Sequence, residues 1–184
     1  MMKRKEIKEI IEEEKSIYMP GQYLFMKWSH HKRYLLWKTL ANFRMARYWK
    51  LEMEEAGFIR RIYAKLAYRY YLRQRNIFGS KSGLEIGNHC ELGRRLDIWH
   101  GGVVISGHLG DDCVIHGNNI IGNKGNGNME IPTLGNRVDL GVGAVVIGGI
   151  KIADGCRIGA NAVVTKDFKE ADKLIVGIPA EVKG

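Results

Sequence analysis

The segment LDIWHGGVVI places His100 beside Gly101 and Gly102, two residues whose missing side chains leave open space next to an imidazole. A group that titrates near neutrality in a small cleft suits general-base work on a hydroxyl. His108 and His116 compete for that role, His89 reads as a surface residue, and His30 and His31 have no recognisable partner. Cys90, Cys113 and Cys156 form no Cys-x-x-Cys pair, so a zinc site is not expected. Residues 122–133, GNKGNGNMEIPT, lack the full glycine pattern of a dinucleotide loop and precede no helix. Their Gly, Asn and Pro content predicts an extruded loop that could cover a bound cofactor.

What positions these groups is a repeat. Every sixth residue from Ile86 is aliphatic (Ile86, Leu92, Ile98, Val104). The frame slips by one residue after Val104 and resumes at Leu109, Ile115 and Ile121. Beyond the loop it continues through Leu134, Leu140, Val146, Ile152, Ile158 and Val164. A six-residue unit is too short for a helical hairpin but holds one short strand and one corner, so three units close a triangular coil. The thirteen positions then predict roughly four coils, stacked at about 4.8 Å with parallel pairing and their aliphatic residues in interior columns. Seven of the thirteen are followed by glycine (Gly87, Gly93, Gly110, Gly122, Gly135, Gly141, Gly159), which fits a sharp corner with no side chain in the way. Each cysteine falls four residues after a column position, where a small inward side chain belongs, so all three read as reduced core residues.

The chain divides by composition near Gly79. Residues 1–80 carry 18 Lys+Arg against 8 Asp+Glu, and residues 81–184 carry the remaining 11 against 12, so the basic character belongs to the first part. All eight tyrosines and Trp28, Trp37 and Trp49 lie there too. Charged residues 3–15 and the apolar spacing over residues 34–75 predict two to four short helices, with a turn at Pro20-Gly21 and a break at Gly57. The interleaved aromatic and basic residues suit packing onto the β-structure or onto a neighbouring subunit. An anionic membrane surface or a lipid-linked substrate is the second reading, and nucleic acid is not expected as a partner. Glutamates follow the basic start where a signal peptide needs an apolar stretch, and no apolar run is long enough to span a bilayer, so a cytoplasmic location is expected, peripheral at the inner face of the membrane if the basic segment docks there.

The hexads, the segment IWHGGVV, the run IGANAVVTKD (158–167) and the closing VGIPAEV (176–182) resemble the hexapeptide-repeat acetyltransferases over about residues 83–184. The nearest branch is the serine acetyltransferase-like one that includes capsule and other polysaccharide O-acetyltransferases. The resemblance implies a left-handed parallel β-helix and a homotrimer, with sites between adjacent protomers and the pantetheine of acetyl-CoA, the co-substrate, lying along the coils. It implies no metal. His100 takes the place of the family's catalytic base and Glu85 that of the acidic residue orienting it. On flat strands the two would lie about 10 Å apart, so contact needs corner curvature. Asn123, Lys124, Gly143, Ala160 and Lys166 are the expected coenzyme contacts.

Two positions depart from the serine enzyme. Trp99 stands where it has Asp, and Ile131, before Pro132, where it has His. A zwitterionic acceptor loses charged partners there, whereas an indole beside the base suits a sugar face. Acetyl transfer to a sugar hydroxyl of a surface polysaccharide is therefore expected, with transfer to serine, in cysteine biosynthesis, as the alternative. A β-helix that only assembles or docks a partner is the non-enzymatic alternative. The γ-class carbonic anhydrase, another use of this scaffold, is disfavoured because its His-x4-His pair is missing.

Overall fold

The computed structural model describes residues 4–183 and divides into two compact units, residues 1–82 and 83–184. Composition places the boundary at Gly79 to Gly83, but the last helix runs through Gly79 and ends at Ser82, whose hydroxyl bonds back to the Gly79 carbonyl at 3.3 Å.

The first unit contains α1 (Arg4–Tyr18), α2 (Tyr23–Trp28), α3 (Lys32–Glu55) and α4 (Phe58–Ser82). Residue 3, placed in the first helix by its charge pattern, lies outside the described residues. Helices α3 and α4 are six to seven turns long, not short, and the break between them falls at Ala56-Gly57. A buried ion pair ties α1 to α3: Arg44 Nε donates to Glu14 Oε2 at 2.9 Å and its Nη2 to Oε1. Ile7, Met45, Tyr48, Trp49 and Ala64 form a core between α1, α3 and α4. His31 gains a role the sequence does not reveal, its Nδ1 accepting the Arg33 N–H at 3.3 Å to cap the start of α3.

The second unit is a three-faced parallel β-helix with fifteen short strands. The first face stacks β1 (Leu84–Ile86), β4 (Val103–Ile105), β7 (Ile120–Gly122), β10 (Val145–Ile147) and β13 (Val163–Val164). The second stacks β2 (Glu91–Leu92), β5 (His108–Leu109), β8 (Thr133–Leu134) and β11 (Lys151–Ile152), with Phe168 bridging to Ile152 beyond them. The third stacks β3 (Asp97–Ile98), β6 (Val114–Ile115), β9 (Asp139–Leu140), β12 (Arg157–Ile158) and β14 (Leu174–Gly177), and β15 (Ala180–Val182) closes it antiparallel. Phe168 and Ile175 carry the solenoid into a fifth coil, one more than the hexads count.

The columns form as the repeat predicts, with one correction. Ile105, not Val104, stacks between Ile86 and Ile121, and Val104 faces out beside Glu85. The single slip is thus two irregularities that nearly cancel. The corner after Ile98 gains a residue, so seven residues separate Ile98 from Ile105, and the next corner loses two, so four separate Ile105 from Leu109. The gained residue belongs to the corner that carries His100. Burying each column aliphatic is worth about 1.5–3 kcal/mol. The three cysteines are buried, their thiols donating to the carbonyls of Ile105, Gly135 and Glu170, and burial pushes the Cys113 thiol up to about 11.

The glycines after column positions work by a different route from the expected one. None of the seven has a left-handed φ. Gly93 and Gly110 sit where an added Cβ would lie 2.4 Å and 2.6 Å from the carbonyl carbons of Gly110 and Gly135, so they permit close approach between coils and not a bend. The bends fall elsewhere. At the corner between the third and first faces, Gly83, Gly102, Asn118, Gly143 and Asn161 all have φ between 54° and 77°. At the corner between the second and third, Arg95, Asp112, Arg137, Gly155 and Asp172 do the same, and the Arg95 guanidinium bonded to Asp112 holds that carboxyl below its ordinary range. From Gly102 onward glycine and asparagine alternate in the first ladder because the asparagine side chain occupies its neighbour's vacancy: Asn161 Oδ1 lies 2.2 Å from where a Gly143 Cβ would be.

Replacing Gly143 with Ala should therefore cost at least about 1–2 kcal/mol for the left-handed backbone alone, before Asn161 is displaced. Gly57→Ala, whose Cβ would meet nothing within 4 Å, should stay within about 0.5 kcal/mol of the parent. Denaturant midpoints of the two variants check this.

Candidate active site

His100 roots on the lengthened corner between β3 and β4. Its Cβ and Cα lie directly over Gly117 of the next coil, where a side chain would come within 2.7 Å of the histidine Cβ. Gly102 and Val103 donate both of their backbone N–H groups to the Gly83 carbonyl at 2.7 and 2.9 Å, which anchors the enlarged corner. The His100 side chain is exposed, and among the described residues it makes no hydrogen bond or ion pair. Glu85 is likewise exposed and unpaired, paired through its backbone position with Val104. The expected dyad is thus not closed within one chain.

A better-connected group stands beside it. Trp99 and His116 occupy the same place on consecutive coils, one residue after Ile98 and Ile115, where Gly141 and Gly159 stand further along. Their rings stack at 4.3 Å between centroids and 29° between planes. His116 Nε2 lies 2.9 Å from Asp139 Oδ1, and the indole N–H of Trp99 donates to Asp97 Oδ2 at 2.9 Å. One face of the indole is therefore covered by imidazole and its N–H is taken, yet 44% of Trp99 remains exposed, next in sequence to His100. Neither Asp97 nor Asp139 figures in the sequence reading. The signal was available once residues are sorted by face, since both occupy the outward position before a column residue of the third face.

The remaining predicted residues fall on two edges. Gly143 and Ala160 share the corner of His100, and that corner descends from His100 through Gly117, Val142 and Ala160, three coil spacings or about 14 Å. Asn123, Lys124, Ile131 and Lys166 lie beyond the other end of the first face. There the extruded loop folds as a small hairpin, with a bridge between Gly125 and Asn128, and the Lys124 stem crosses Gly148. Asn123 is partly used within the loop, its Oδ1 accepting the Gly125 N–H at 3.1 Å. Lys166 faces Glu181 at 3.5 Å and lies over the Phe168 ring. Trp99 and Ile131, both expected against the acceptor, are on different edges of one chain. Among the described residues no group of His, Cys, Asp and Glu is arranged to hold a metal.

No family model matches the chain. Individual proteins do. It is 41% identical over 107 residues to the serine acetyltransferase of Mycobacterium tuberculosis, covering 56% of this chain and 46% of that one. It is 38% identical over 104 residues to the putative colanic acid biosynthesis acetyltransferase WcaB of Escherichia coli K12, covering 55% and 64%. The solved serine acetyltransferase of Neisseria gonorrhoeae superposes with a TM-score of 0.71 at 25% identity, covering 98% of this chain and 68% of that one. The β-helical unit is similar to that of these acetyltransferases. The chain spans about half the length of the serine acetyltransferase it matches in sequence. Its relatives thus include both serine acetyltransferases and a putative colanic acid biosynthesis acetyltransferase.

Trp99, His116 and Asp139 thus form one connected cluster across three coils. A double-mutant cycle with His116→Ala and Asp139→Asn, read by denaturant unfolding, should give a coupling of about 0.2–1 kcal/mol, as befits a half-exposed polar contact.

Proposed function

We propose that this protein is an acetyl-CoA-dependent O-acetyltransferase whose acceptor is a sugar hydroxyl of a surface polysaccharide or its precursor. The observation that carries the acceptor class is the indole of Trp99, pinned by Asp97 and backed by His116, with its exposed side adjacent to His100. A sugar ring offers an apolar C–H face to such a surface, whereas serine's charged groups find no partner in it.

His100 takes the acceptor proton as the hydroxyl oxygen attacks the thioester carbonyl carbon. The new C–O bond forms, the C–S bond breaks, and the imidazolium returns its proton to the departing thiolate, giving the ester and free coenzyme A. The Gly102 and Val103 N–H groups are taken by the Gly83 carbonyl, so the donor that meets the transient oxyanion is another backbone N–H. Glu85 is the orienting carboxylate by resemblance to the family, and both side chains are exposed. His116 is the weaker base candidate because its Nε2 faces Asp139 and one ring face is covered by Trp99.

The coenzyme reading favours a multimer. Gly143 and Ala160 lie on one edge, and Asn123, Lys124 and Lys166 lie on another, with the first face of the β-helix between them. A site using both edges needs two copies, one giving the His100 edge and the next giving the lysines, which suit the coenzyme's phosphates. Val104 and Ile120, exposed on the first face, supply apolar surface for such a contact. We take the assembly as a homotrimer and the location as cytoplasmic.

His100→Ala should lower kcat roughly 10²–10⁴-fold while the protein stays folded. Thiol release from acetyl-CoA, scored over a panel of sugars and amino acids, checks both the base and the acceptor. Full turnover by the variant sinks the assignment of the base, and turnover of L-serine with every sugar inert sinks the acceptor class.

Trp99→Ala should raise the acceptor KM about three- to tenfold with little change in the KM for acetyl-CoA. Equal loss on both substrates would mean that the indole supports the corner and does not meet the acceptor.

A further inference from the structure

Helix α4 presents a second surface, one the transfer chemistry does not use. Within the first unit it buries only Ala64, Gly79 and Ser82 of its 25 residues. On the opposite side of the helix Ile59, Ile62, Leu66, Tyr70 and Ile77 recur at spacings that keep them in one stripe. Ile59 is 83% exposed, Leu66 61% and Tyr70 57%, and Phe58 and Tyr63 beside them are 80% and 61% exposed. An apolar stripe of this kind, interrupted by Arg73 between Tyr70 and Ile77, marks a surface that meets something.

Charge narrows the occupant. Helix α4 carries Arg60, Arg61, Lys65, Arg69, Arg73, Arg75 and Lys81 and no acidic residue. Arg60 is bound by Glu52, but Arg61, Lys65, Arg69 and Arg73 make no ion pair among the described residues. Arg69, Arg73 and Lys81 line one open groove together with Leu72 and Ile77. A second copy of α4 packed on the stripe would set seven cations against seven. A nucleic acid backbone would satisfy the cations and leave the apolar side chains in water. An anionic bilayer surface answers both: the apolar side chains enter the acyl boundary, tyrosines sit at headgroup level and the flanking cations meet lipid phosphates. No helix among the described residues is long and apolar enough to cross a membrane, so the geometry is that of a helix lying on the surface.

We infer that α4 docks the protein onto membranes containing anionic lipid, with the stripe from Ile59 to Ile77 facing the bilayer. The inference stands apart from the assignment of His100 and needs no acetyl transfer.

The test is co-flotation of the full chain with vesicles of phosphatidylcholine alone and of phosphatidylcholine mixed with phosphatidylglycerol, at low and high salt. The expected result is binding to the mixed vesicles only, weakened by salt. A variant with Arg61, Lys65, Arg69 and Arg73 each changed to Gln should bind at least tenfold more weakly, since each cation near the surface is worth about fivefold. A second variant, Ile59→Ser with Leu66→Ser, should lose binding even at low salt, with circular dichroism reporting that the helices persist. Equal binding to both vesicles, or binding that survives both variants, overturns the inference. So does a parent chain that floats with neither vesicle while the serine variant changes the oligomeric mass, a result that assigns the stripe to a second copy.

Discussion

The constraint behind the β-helical unit is that parallel coils must stack in register at the spacing of backbone hydrogen bonds. With about 4.8 Å between coils there is room at each corner for a backbone and one compact side chain. Gly93, Gly110 and Gly135 meet that limit by having no side chain where coils touch. Gly102 with Asn118, and Gly143 with Asn161, meet it by alternation, each asparagine using the vacancy left by the glycine above it. Cys90, Cys113 and Cys156 occupy inner positions two residues before the column aliphatics, a place filled elsewhere by Leu96, Val138, Ala144 and Ala162, so side chains of several sizes fit there. Asn119 is a polar residue at such a position. It is fully buried and satisfied, accepting from Gly117 N–H on its own coil and donating to the Gly141 and Ala144 carbonyls of the next, so it joins two coils along the edge that carries His100.

Such a scaffold writes its fold into the sequence plainly. Position in the column dictates residue type at every sixth place, and twelve of the thirteen column positions are legible without coordinates. The exception, Val104, is instructive. Two opposed irregularities, one residue gained and two lost, sum to a single slip that a linear frame assigns to the wrong corner. Only the pairing of Ile86 with Ile105 separates them. The glycines misled for a related reason. A sequence reports that a side chain is missing, not whether the cause is a left-handed φ or a neighbouring backbone, and here the φ requirement lies partly on Arg95 and Arg137, which do not look like turn formers. In the helical unit periodicity is weaker because α3 is covered on several sides, so helix lengths could not be read from one apolar stripe.

The site was legible to the extent that it interrupts the repeat. His100 drew notice because IWHGG departs from the hexad, and the structure locates the extra residue in that corner. Asp97 and Asp139 escaped notice because each occupies a regular position where the repeat tolerates any polar residue. What makes them matter is vertical adjacency between coils, which sequence distance hides: His116 and Asp139 are 23 residues apart and yet 2.9 Å apart. Resemblance supplied Glu85, and geometry leaves its carboxylate and the imidazole of His100 both unengaged.

The two edges of the β-helix constrain any site built from both. A triangular prism turns its corners away from one another, so residues on different corners cannot converge on one small molecule while the prism stays closed. Gly143 and Ala160 lie with His100 on one corner, and Lys124 and Ile131 lie at another, where the extruded loop leaves between β7 and β8. No side-chain rotation spans the face between them. Either the lysine edge has nothing to do with the reaction, or the reacting cleft is made by two chains. In the second case the irregularities divide the labour: the added residue at His100 builds the reacting end, and the insertion at residues 122–133 reaches across to a neighbour's corner.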